Sequence, residues 1–170
     1  ICTSNRSRTD RCRSSSSADM IKIMFVCLGN ICRSPMAECV MSDMIAKRGL
    51  QNEISVYSSA TSSEEIGNPI YPPAVKKLRE ESVPVLNHRA TRLCSSDKNR
   101  YDYFVGMEER NLIAMRRILG EDAKVCRLLD FAKNPRDIAD PWWTGNFDVT
   151  YDDIVEGCGA LLEHIIKCDL

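Results

Sequence analysis

Cys27 and Arg33 bracket the stretch Cys27-Leu28-Gly29-Asn30-Ile31-Cys32-Arg33-Ser34, a Cys-x5-Arg-Ser spacing. A thiol near a helix N-terminus and beside a guanidinium loses its proton readily and becomes a nucleophilic thiolate. The planar fork of Arg33 matches two phosphate oxygens at once. A nucleophile, an anion cradle and a bidentate cation together point to phosphoryl transfer through a cysteinyl-phosphate. With nine cysteines in the chain, chance alone can supply such a spacing. Its flanks single it out.

Those flanks are a strand and a helix. Ile21 to Val26 is a short apolar run that reads as a buried strand. Gly29 and Asn30 tolerate positive φ. Ser34-Pro35 is read as the helix opening, with Ser34 as N-cap and Pro35 in the first helical position. Cys27 then starts a tight loop at the C-terminal end of a strand, where α/β sheets bind ligands. Backbone N–H groups there face inward and favour an anion.

The rest of the chain alternates. Met36 to Arg48 carries apolar residues at helical spacing, and Lys47-Arg48-Gly49 stops it. Ile54 to Ser58 reads as a second strand, Ser59 to Pro73 as a long loop, and Pro73 to Glu81 as a helix. Tyr101 to Met107 is a third strand, Glu109 to Leu119 a helix ending at Gly120, and Lys124 to Leu129 a fourth strand. Phe131 to Asn146 is an irregular loop. Asp148 is expected to cap a last helix that buries Ile154, Val155, Cys158, Leu161, Leu162 and Ile165 and runs to Lys167. This pattern predicts an α/β fold: an open four-stranded parallel sheet with helices on both faces and the phosphate loop after strand 1.

Composition removes several classes. The net charge is -1 over 170 residues, and no basic patch argues for nucleic acid. No apolar run approaches a membrane span. The cysteines are odd in number and irregular in spacing, which argues against a disulfide framework and for a reducing, cytoplasmic setting. Zinc spacing is absent, only His88 and His164 exist, and no metal or cofactor is expected. Residues 1–19 are rich in Ser and Arg, without an apolar segment. They are expected to be a disordered, non-native leader, with Met20 as the start of one domain over 20–170.

Val26-Cys27-Leu28-Gly29-Asn30-Ile31-Cys32-Arg33-Ser34-Pro35 resembles the phosphate loop of the low-molecular-weight protein tyrosine phosphatases. Gly67-Asn68-Pro69, Met107-Glu108 and Asn111-Leu112 are further landmarks. The resemblance implies the strand order 2-1-3-4. It implies hydrolysis of a phosphotyrosine protein or a small aryl phosphate by a monomer, with Cys27 as nucleophile and Arg33 as clamp. The family carries its general acid in an Asp-Pro-aromatic-aromatic loop, which here is Asp140-Pro141-Trp142-Trp143. Trp142 and Trp143 are expected to wall the cleft and stack on an aryl substrate. Leu28, Gly29, Asn30, Ile31, Cys32 and Ser34 would hold the phosphate. Ser34 is implied to donate its hydroxyl to the thiolate, and Ser58 and His88 to bond the Asn30 side chain. Cys32 matches a cysteine that captures the oxidised nucleophile as a disulfide, Cys27–Cys32 here.

Some positions depart from the family pattern. Trp142 and Trp143 stand where members often carry Tyr-Tyr, whose hydroxyls are regulatory phosphorylation sites in some of them. Glu64 replaces a frequent rim aromatic, and a carboxylate there disfavours acidic peptides. Thr91 replaces a frequent Arg, and Glu108 a frequent Asp. Arsenate reductases of the same fold need two further redox cysteines close together, whereas the next Cys after Cys94 is Cys126. Protein-arginine phosphatases carry Thr at the positions of Leu28 and Ile31, whose apolar rim suits a phenyl ring instead. A non-catalytic phosphate-binding module would need neither Cys27 nor Asp140.

Overall fold

Strand β1 (Ile21–Cys27) lies inside the sheet, and its side chains feed two separate cores. Ile21, Ile23, Phe25 and Cys27 face one side, packed with Met36, Val40 and Met41 of α1 (Arg33–Lys47) and with Ile154, Leu161 and Ile165 of α5 (Phe147–Asp169). Met24 and Val26 face the other side, against Leu112, Met115 and Leu119 of α3 (Glu109–Leu119). Burial on both faces is why the run is apolar without alternation. The computed structural model describes residues 20–170, so the leader expected over residues 1–19 lies outside the described residues.

The sheet is parallel throughout, in the order β2-β1-β3-β4, with β2 at Ile54–Ala60, β3 at Tyr103–Gly106 and β4 at Val125–Arg127. This is the predicted four-stranded α/β fold in the predicted order. In register, Val26 lies beside Ser59 and Gly106. Three strands therefore end level with one another, and the loops that follow them meet at one place. Close packing helps: a Cβ on Gly106 would come within 3.0 Å of Asn111 and Leu112, so α3 is drawn tight against the end of β3.

The structure moves several expected boundaries. Helix α1 begins at Arg33, and its N-cap, Cys32, uses no side-chain bond. Ser34 is therefore inside the helix, because its hydroxyl is engaged elsewhere. Helix α5 is capped by Asn146, whose Oδ1 accepts from Val149 N at 3.1 Å. Asp148 instead sits in the first turn and pairs with Lys77 at 2.7 Å. Strand β2 runs on to Ala60, which bridges Arg92. Strands β3 and β4 are shorter than predicted. The loop expected to be irregular contains a short helix, α4 (Pro141–Thr144), and α2 spans Pro72–Glu80. Among the described residues no helix is long and apolar enough to cross a membrane.

Candidate active site

The loop after β1 is held from outside by its carbonyls. Thr61 N donates to Cys27 O, Ser62 N to Leu28 O and Tyr71 N to Ile31 O, at 2.9–3.1 Å. His88 Nε2 lies 2.7 Å from Asn30 O. A carbonyl only accepts, so His88 must carry its proton on Nε2 there. With the carbonyls turned outward, the loop's N–H groups turn inward. One of them, Asn30 N, donates to Cys27 Sγ at 3.3 Å. Asn30 takes the left-handed backbone that lets the loop curl, with φ 59, and it is fully buried.

Ser34 completes the setting of the thiol. Asn30 Nδ2 donates to Ser34 Oγ at 2.8 Å, and Ser34 Oγ lies 2.9 Å from Cys27 Sγ. The hydroxyl already accepts from Asn30, so its own proton is free to point at sulfur. Two donors thus aim at Cys27 Sγ. Burial, and then the neighbouring Cys27, push the Cys32 thiol up to about 12, so it stays protonated near neutral pH.

Arg33 is 1 % exposed and spans two elements. Its Nη1 donates to Ile138 O at 3.0 Å, its Nη2 lies 3.3 Å from Asp140 Oδ2, and Glu108 faces it at 3.4 Å. Asp140 is the N-cap of α4, its Oδ1 accepting from Trp142 N at 3.0 Å. The segment before it is anchored at each residue: Ile138 N bonds Met107 O at 2.8 Å, and Thr150 Oγ1 donates to Ala139 O at 3.0 Å. Asp140 is therefore fixed at the cleft edge, one guanidinium away from the loop that holds Cys27.

These groups line one cleft of about 240 Å³. It is lined by the loop from Cys27 to Arg33 and by Ser62, Glu64, Glu65, Asp140, Trp142 and Trp143. Leu28, Gly29, Asn30, Ile31 and Cys32 all belong to that lining. Ser34 stands just behind it.

Two expected contacts differ. The Ser58 hydroxyl donates to Glu38, not to the Asn30 side chain. His88 meets the Asn30 carbonyl rather than its side chain, whose Oδ1 accepts from Thr91 N at 3.1 Å instead. The Asn30 side chain bonds Ser34 and Thr91, while the Ser58 hydroxyl is turned to the Glu38 carboxylate. Glu38, unremarked in the sequence, lies beneath this corner with His88 Nδ1 at 3.9 Å. Burial raises its carboxyl above the usual range, and the Ser58 bond works against that rise. Its one sequence signal is a carboxylate flanked directly by Ala37 and Cys39. Tyr71 and Glu65 were also missed.

The family model for low molecular weight phosphotyrosine protein phosphatases matches residues 22–169. The low molecular weight protein-tyrosine-phosphatase YfkJ of Bacillus subtilis is 37 % identical over 152 residues, covering 87 % of this chain and 97 % of that protein. PtpA of Staphylococcus aureus, described likewise, is 33 % identical over 150 residues, 87 % of this chain and 96 % of its own. The crystal structure of YfkJ superposes with a TM-score of 0.86 at 36 % identity, covering 89 % of this chain and 98 % of that one. A match that runs through nearly every described residue, around a loop built as this one is, leaves a single assignment: the chain belongs to the low molecular weight phosphotyrosine protein phosphatases and is a phosphatase hydrolase.

Proposed function

We propose that this phosphatase hydrolyses phosphotyrosine in proteins, and small aryl phosphates, through a cysteinyl-phosphate on Cys27. The observation that carries the reading is the pair of donors on Cys27 Sγ, from Ser34 and Asn30, in a cleft that Asp140 also lines. Phosphate oxygens take the inward N–H groups and the Arg33 fork. The thiolate attacks phosphorus, the S–P bond forms, and the bond to the aryl oxygen breaks. Asp140 gives its proton to that oxygen, then accepts one from the water that hydrolyses the S–P bond, releasing phosphate. Leu28 and Ile31 offer the ring an apolar rim, and Trp142 and Trp143 the faces to stack on.

Cys32 has a second task in this reading. An oxidised Cys27 would be captured by the Cys32 thiol as a disulfide, with loss of water. Residues 20–170 act as one monomeric domain in the cytoplasm, where an odd, irregularly spaced set of cysteines is kept reduced. Nucleophile, acid and clamp are all side chains, so chelators should leave turnover unchanged.

The test is hydrolysis of p-nitrophenyl phosphate by the wild type and by Cys27→Ser, with rapid trapping of phosphate on Cys27. The variant should lose turnover and keep phosphate affinity; near-normal turnover would end this reading. Phosphotyrosine and phosphoarginine peptides then separate the tyrosine enzyme from an arginine phosphatase, with turnover of the first expected.

A further inference from the structure

The lining of the phosphate cleft carries two chemistries. Trp142 and Trp143 line it, 50 % and 79 % exposed. So do Glu64 and Glu65. Glu65 leans on the phosphate loop itself: a Cβ built on Gly29 would meet its Cγ at 3.4 Å. Its Oε2 accepts from Asn68 Nδ2 at 2.6 Å, which fixes the carboxylate at the rim. Glu64 is exposed beside it. Among the described residues no cation is paired with either carboxylate. Among the described residues Arg33 is the one basic residue lining the cleft, and its charge already faces Glu108 and Asp140.

Above the phosphate seat, then, the mouth is lined by carboxylates and by indoles. Both attract a cation, the carboxylates by charge and the indoles through their ring faces. Both turn away an anion. The phosphate itself is held lower, by the loop N–H groups and Arg33, so the rim acts on the residues that flank it.

We propose that Glu64 and Glu65 make this cleft selective for phosphotyrosine flanked by lysine or arginine, and against phosphotyrosine in an acidic sequence. The proposal rests on the phosphatase reading above and names its substrate class. Each exposed charge pair contributes little by itself, so two carboxylates acting together give a preference of about three- to tenfold in kcat/KM. The preference should reside in KM, since the rim touches no reacting atom, and it should shrink in salt.

The experiment uses the full chain and two phosphotyrosine peptides of equal length, one with Lys directly before and after the phosphotyrosine, the other with Glu. Wild type is compared with the Glu64→Gln, Glu65→Gln double variant, and p-nitrophenyl phosphate is run in parallel. Wild type should favour the lysine peptide by about three- to tenfold, less so at about 0.5 M salt, and the double variant should bring the ratio close to unity. Equal kcat/KM for both peptides in the wild type, or an undiminished ratio in the double variant, overturns the proposal. In either case hydrolysis of p-nitrophenyl phosphate leaves the phosphatase reading standing. Failure to hydrolyse p-nitrophenyl phosphate overturns both.

Discussion

The ring of Tyr71 packs against that of Trp142, with centroids 4.8 Å apart and planes tilted by 53°. The same residue donates its backbone N–H to the carbonyl of Ile31 at 2.9 Å. One residue therefore ties the phosphate loop to the turn that carries Asp140. Tyr71→Ala should keep the backbone bond and lose the ring contact. Aromatic pairs contribute about 0.5–1.5 kcal/mol, so kcat/KM should fall by about two- to tenfold. Tyr71→Phe should restore it, because the ring and not the hydroxyl makes the contact. A phenylalanine variant as impaired as the alanine one would show that the hydroxyl matters instead.

Asp140→Asn keeps the shape of the α4 cap and removes the proton. Its cost should depend on the leaving group: about 10²–10⁴-fold for alkyl or unsubstituted phenyl phosphates, and far less for p-nitrophenyl phosphate. A leaving-group series with equal losses throughout would assign Asp140 a purely structural part, as partner of Arg33 and cap of α4.

Cys32 titrates far above neutral pH. Capture of oxidised Cys27 needs its thiolate, so the disulfide should form slowly at pH 7 and faster as pH rises. Mild peroxide followed by peptide mass spectrometry at several pH values reads this directly. Cys32→Ser should instead pass to sulfinic and sulfonic acids that dithiothreitol does not reverse. Recovery of activity while Cys32 stays a free thiol would move the resolving role elsewhere, with Cys39 next; burial pushes its thiol up to about 11.

Glu38 should destabilise the fold as it ionises. Its folded carboxyl titrates above the ordinary value of 4.5 because of burial. The native state thus holds a proton that the unfolded chain has released. This contribution is fully present below about 4.5 and is lost as pH rises through the folded value. Urea midpoints across acidic pH should show wild type losing ground to Glu38→Gln over that window. Parallel profiles would mean that Ser58 and His88 compensate the buried charge completely.

What the sequence revealed, and what it hid, follows from how local each interaction is. Cys27, Arg33 and the left-handed Asn30 lie within seven residues, and their types and order announce the loop. The parallel sheet was legible because each strand is a separate apolar run followed by a helix. Ser34 was misplaced because a hydroxyl at a helix start serves equally as cap or as donor to a neighbouring thiol; only the curled loop decides between them. Asn146 and Asp148 are both good caps two residues apart, and Lys77, far away in sequence, draws off the second. Glu38 and Ser58 meet across 20 positions. Nothing local to either residue pairs them.

The grip of Arg33 on Ile138 is made through a main-chain carbonyl. Replacing the Ile138 side chain leaves that oxygen in place, so an alanine scan would record at position 138 only the loss of a buried apolar residue. The hold that keeps the Asp140 turn beside the Cys27 loop would go unrecorded. It would surface as an unexpectedly large defect at Arg33, where a single substitution removes both the proposed phosphate clamp and the strut. Dissecting the two calls for a change in the backbone itself, such as an ester in place of the amide that follows Ile138, which weakens the carbonyl as an acceptor and leaves every side chain intact.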